Sequence, residues 1–212
     1  MLRQAAKVER FKSSLDPLDA LHAKYDSSSG DPVVADDAWG HLQIDATSLF
    51  LLQLAQLTRG GCIVIRSRDE VDFIQNLVHY VARAYRTKDY GIWERGDKGN
   101  HGLPERNASS IGMAKAALEA LDGLDLFGVH GDRSSRLLIP QGAIVRLRRA
   151  LQSLLPRESA SKEADSACLS VIGYPAWAVE DRALVERTQR RIRRELAGAY
   201  GYKRFLRDGH QT

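Results

Sequence analysis

Apolar residues recur at helical spacing in five segments, and no stretch shows the sustained alternation of a half-buried strand. Gln43 to Thr58 is apolar nearly all round, through Ile44, Leu49, Phe50, Leu51, Leu52, Leu54, Ala55 and Leu57. A helix without a polar face is expected to be buried on most sides. Gly60–Gly61 ends it. Arg68 to Arg86 is amphipathic, with Ile74, Leu77, Val78, Val81 and Tyr85 on one face and a capping box formed by Ser67 and Glu70. Asn107 to Leu121 opens on the cap-rich NASS and continues through Ala114, Ala117 and Leu118. A fourth helix follows Pro140, aligns Ile144, Leu147, Leu151 and Leu154, and stops at Pro156. A fifth, from Glu180 to about Tyr200, places Val185, Ile192, Leu196 and Tyr200 on one stripe. The short β-branched run Cys62–Ile65 leaves a strand open. Arg157 to Ala167, RESASKEADSA, is polar and predicts an exposed loop. The class is all-α, with helical hairpins packed around a shared centre and polar clusters in the loops between them.

Composition narrows this only a little. A chain of 212 residues can bury a sizeable core as one large domain or two small ones. Lys and Arg exceed Asp and Glu by 31 to 27, which does not mark a nucleic-acid binder. The basic run Arg187–Glu195 lacks interleaved aromatics and reads as a solvated helix face; its superficial likeness to a calmodulin target is secondary. Cys62 and Cys168 are far apart without metal-ligand spacing, so a reduced cytosolic setting is expected, with no metal site and no cofactor. The longest apolar stretch, ACLSVIGYPAWAV, is too short to span a bilayer. The first residues do not read as a signal peptide, and the sequon at Asn107 is a chance match. The opening MLRQAAKVERF already looks helical and the last residues follow a Gly-containing turn, so a piece of a longer protein is expected.

Three clusters carry candidate chemistry. In YGIWERGDKGNHG, Trp93 lies beside Glu94 and Arg95. Glu94 reads either as a surface carboxylate or as a carboxyl made more basic by the ring and fit to donate a proton. Glycoside hydrolysis needs two such groups, and no partner is obvious. Trp39 and Tyr90 offer faces for sugar rings. In DDAWGHLQIDA, Gln43 and Asp45 enter the buried helix, where Asp45 also suits the positive end of a helix dipole. Asp36 or Asp37 suits a turn, and His41 a structural hydrogen bond. In YGYKRFLRDG, Arg204 or Arg207 can donate to sugar hydroxyls or a carboxylate, or simply end a helix before an Asp–Gly turn.

Together DDAWGHLQIDATSLFLL, YGIWERGDKGNHGLPERNASSIGMAKAALEALDGLDLFG, LLPRESASKEAD, YPAWAVED and KRFLRDG resemble the regulatory alpha and beta subunits of phosphorylase b kinase, alpha more closely. The resemblance covers essentially the whole chain. It implies a glucoamylase-like (α/α)6 barrel similar to family 15 glycoside hydrolases, of which residues 1–212 are one partial domain lacking the first and last helices. It also implies a regulatory role: restraint of a catalytic gamma subunit, with an integral calmodulin and a second regulatory subunit as partners. Prenylation outside this segment would add peripheral membrane attachment to a cytoplasmic protein. Residue by residue, Trp93–Glu94 match the general-acid pair and Gln43 and Asp45 match the Gln-x-Asp motif. Arg204, Phe205 and Asp208 match the Arg–aromatic–x–x–Asp motif. The expected glucan-binding set is Trp39, Gln43, Asp45, Trp93, Arg95, Arg204 and Asp208, with Glu94 as general acid if the domain is active. The catalytic base of such enzymes lies beyond Thr212. Alternatives are an active or residual glucan hydrolase, and a module that binds glycogen without cleaving it. No kinase motif is present.

Overall fold

The structure is a computed structural model that describes residues 4–37, 42–94, 103–206 and 208. Seven helices order the described residues: α1 (Ala5–Ser14), α2 (Ile44–Arg59), α3 (Arg68–Ala84), α4 (Ala108–Leu121), α5 (Ala143–Leu154), α6 (Leu169–Ile172) and α7 (Arg182–Leu196). A minimal antiparallel hairpin, β1 (Ala197–Gly198) and β2 (Gly201–Tyr202), follows α7. It ends the fifth helix earlier than its apolar stripe predicts, because Gly198 and Gly201 favour a tight reversal over another helical turn. Cys62–Ile65 lies in irregular backbone.

Alternate helices form two layers. The centrally placed α2 and α4 pack chiefly on each other, while α5 covers α4 and α1 covers α3. Helix α4 is the most deeply buried of the described ones, with the run Ala108–Leu118 buried without a break. Its small residues permit close approach: a Cβ on Gly112 would stand 2.2 Å from Val171 Cγ1 of α6. The expectation of near-complete burial for α2 is not met. Leu49, Phe50 and Leu57 face outward, so α2 has a buried stripe and an exposed apolar one. Ser67 and Glu70 make the predicted capping box at α3.

The polar segment Arg157–Ala167 is the clearest departure. Glu158, Ser159, Lys162, Ala164, Asp165 and Ala167 are all buried. The segment is a strap held against the start of α4, where Ala108 N donates to Glu158 O at 2.7 Å. Its polar groups find partners there: Glu105 accepts from Ser159 Oγ at 2.7 Å and from Ser161 N at 3.1 Å, and Lys162 Nζ reaches Asn107 Oδ1 at 3.1 Å. Polarity predicts exposure only where no internal partner exists.

Candidate functional site

The predicted site residues gather where α2 and α4 begin. Each of these helix ends is capped from a distance. Gln43, the residue before α2, makes no capping bond of its own. Ile44 N donates instead to Asp89 Oδ2 at 3.0 Å, and Asp89 also accepts from Ser110 Oγ at 2.6 Å and Asn107 Nδ2 at 2.7 Å. Asn107, expected to cap α4 from the NASS run, caps nothing with its side chain. Glu158 takes that place, accepting from Ser109 N at 3.1 Å, from Ser109 Oγ and from Cys168 Sγ at 3.4 Å. Burial raises the Asp89 carboxyl. Burial, then the charge of Asp165, pushes Glu158 up to about 8.

The turn Tyr90–Glu94 is laid on this platform. Tyr90 N donates to Leu42 O at 3.1 Å, and Gly91 O accepts from Gln43 Nε2 at 3.0 Å and from Glu94 N at 3.1 Å. Gly91 has φ +66° and lies so close to Asn107 that a Cβ would meet its Cγ at 3.1 Å, so both shape and space demand glycine. Glu94 itself sits at φ +51°, a conformation that non-glycine residues hold only under external constraint. Its Oε1 is ion-paired with Lys24 Nζ. Lys24 belongs to the loop between α1 and α2, which Asp36 ties down through Lys7 and the buried His22. Asp36, expected in a turn, is an anchor as well.

Asp45 stands beside this turn. Burial, then the charges of Asp89 and Glu94, push its carboxyl up to about 7. Its Oδ1 is buried with no hydrogen-bond partner. Trp93 donates from Nε1 to Asp165 Oδ1 at 2.8 Å. The Arg204 guanidinium lies 5.9 Å from the Trp93 ring centre and 5.4 Å from that of Phe205, and a two-pronged pair with Asp208 at 2.8 and 2.7 Å fixes it. Asp208 raises the basicity of Arg204 accordingly.

Gln43, Asp45, Trp93, Glu94, Arg204 and Asp208 are thus joined by hydrogen bonds, ring contacts or electrostatic proximity. Trp39, His41, Arg95 and Arg207 lie outside the described residues. Sequence reasoning did not single out Lys24 or Asp89, took Asn107 for the cap of α4, and quoted Glu158 and Asp165 only as residues of a polar loop. Carboxyls, an indole and a guanidinium converging at one end of a helical barrel suit a polyhydroxylated ring, which offers hydroxyls to the polar groups and an apolar face to the indole.

The model of the family "Glycosyl hydrolases family 15" matches residues 1–211, and the chain belongs to that family. The (α/α)6 arrangement follows from solved relatives of the same fold. A wild-type glycosidase superposes with a TM-score of 0.74 at 17% identity, covering 98% of this chain and 55% of that one. A variant glycosidase in complex with glucose gives a TM-score of 0.74 at 16% identity, covering 98% and 55%.

Much higher identity points to a narrower group. A probable phosphorylase b kinase regulatory subunit alpha of Drosophila melanogaster is 58% identical over 212 residues, the whole of this chain. The skeletal muscle isoform of phosphorylase b kinase regulatory subunit alpha from Oryctolagus cuniculus is also 58% identical over 212 residues. The chain spans 17% of the length of each.

Proposed function

We propose that these residues form part of a regulatory alpha-type subunit of a phosphorylase b kinase, and that their barrel-end site holds a glucan end without cleaving it. Identity of 58% over the full 212 residues to such subunits, against 17% to a glycosidase of the same fold, is the observation that carries the regulatory reading. The partners are then a catalytic gamma subunit, calmodulin and a second regulatory subunit, none of which this segment alone identifies. The residues act as one partial barrel domain of a cytoplasmic protein controlling glycogen breakdown, and any prenyl anchor lies elsewhere in the chain. No described helix is long and apolar enough to cross a membrane.

Binding is favoured over hydrolysis by the state of Glu94. Lys24 takes one oxygen of the carboxyl that a general acid would use, so that ion pair must open before Glu94 can reach a glycosidic oxygen. The test is glucose release from maltooligosaccharides by the full-length subunit, wild type against Glu94→Gln, beside calorimetric binding of an acarbose-like inhibitor. No release, and weak binding changed only modestly by the substitution, is the expected result. Turnover that Glu94→Gln lowers by roughly 10²–10⁴-fold would make the site an enzyme's and overturn the binding reading.

A further inference from the structure

We propose that Asp165 is a positioning residue for Trp93, fixing the indole at the angle from which it meets a ligand. The consequence for affinity rests on the glucan-binding reading above; the positioning does not. Asp165 is fully buried, 72 positions from Trp93, and its Oδ1 accepts at 2.8 Å both from Trp93 Nε1 and from Ala167 N. An indole N–H is a donor only, and when buried it needs an acceptor; a carboxylate gives the stronger, charge-assisted bond. The backbone bond to Ala167 keeps the carboxylate from turning away.

The same short piece of strap sets the other contact of the ring. Residue 165 bridges in antiparallel fashion to residue 205, and Ser166 N donates to Arg204 O at 2.8 Å. Three consecutive residues therefore hold the edge of the indole and the backbone of the arginine that lies over its face. The neighbouring Glu158 carboxyl is raised by burial and by the charge of Asp165, which disfavours a second negative charge in the pocket. A ring already fixed does not have to be ordered when a ligand arrives, which is worth roughly two- to tenfold in affinity.

The experiment labels the tryptophans with ¹⁵N and follows indole N–H exchange. In the full-length subunit, to which these residues contribute three tryptophans, Trp93→Phe identifies the resonance. In wild type the Trp93 indole should exchange at least tenfold more slowly than that of Trp177, which is 70% exposed. Asp165→Asn keeps an acceptor oxygen and should keep both the protection and the maltotriose affinity within about twofold. Asp165→Ala should lose the protection and weaken maltotriose binding up to tenfold. Trp93→Phe keeps the ring but not the N–H, and should weaken binding as much as Asp165→Ala, with no further loss in the double variant. Fast Trp93 exchange in wild type, or protection that survives Asp165→Ala, overturns the proposal. If Asp165→Ala does not fold, the wild-type exchange of Trp93 against Trp177 decides alone, and fast exchange overturns the proposal. Intact protection with no maltotriose binding in any form sinks the glucan reading and leaves the positioning standing.

Discussion

Replacing Glu158 by Gln should make the protein more stable in alkali and leave it unchanged in acid. The Glu158 carboxyl is buried to 2% exposure and rises from 4.5 to about 8. A group whose folded value lies above its unfolded value binds more protons when folded, so its contribution is complete below 4.5. That contribution is lost as pH rises, and it is gone above about 8. At about 1.4 kcal/mol per pKa unit, that interval corresponds to roughly 5 kcal/mol. Gln copies the protonated form: its oxygen can accept from Ser109 N and Cys168 Sγ, and its amide can donate to Ser109 Oγ, which turns round to accept. Urea unfolding of both proteins between pH 5 and 9 measures the difference. The two stabilities should lie within about 1 kcal/mol of each other at pH 5 and part steadily, with Glu158→Gln ahead by several kcal/mol at pH 9. Parallel profiles, or a variant less stable at pH 9, would refute the assignment of a neutral carboxyl to the start of α4.

Other substitutions probe the packing behind the site. Gly112→Ala should cost about 1–3 kcal/mol in thermal unfolding by driving Cβ into Val171, and Val171→Ala should restore part of it; simple additivity would show that the two helices separate instead. Lys115 is fully buried and pairs at 2.8 Å with Glu119 and Glu180, which are both partly exposed. Its partners can return to water, so Lys115→Met, which keeps the volume, should cost less than about 2 kcal/mol, and Lys115→Ala, which opens a cavity, clearly more. Equal losses in the two variants would place the stability in the ion pairs instead of the packing.

The helices could be read from the sequence because their signals are local. The Ser67–Glu70 capping box and the stripe of α3 both act within a few residues, and both stand in the structure. The gathering of Gln43, Trp93, Glu94 and Arg204 was readable only as motifs, since 48 positions separate Gln43 from the Gly91 carbonyl it meets. The strap was misread for a related reason. RESASKEADSA looks solvated until Glu105, Asn107 and Ser109 are brought against it, and nothing in its own composition announces those partners. Likewise a cap-rich NASS suggested that α4 caps itself, whereas Asn107 bonds Asp89 and the cap comes from Glu158. The outward face of α2 was missed because an apolar residue on a helix does not say whether anything covers it.

The distant caps also bear on how the chain acquires its shape during synthesis. The carboxyl group that completes α2 is made 45 residues after Ile44, and the one that completes α4 is made 49 residues after Ser109. At typical translation rates of about 5–20 residues per second, each helix start waits roughly 2–10 s for its acceptor. Helices in proteins draw most of their stability from tertiary packing, and α2 has no side-chain cap of its own, so it should fray at its first turn until Asp89 emerges. The end of the barrel that carries Asp45 and Glu94 is therefore the last part of each helix to set. A ribosome pausing before residue 158 would hold a nascent chain whose α4 still opens and closes at its N-terminus.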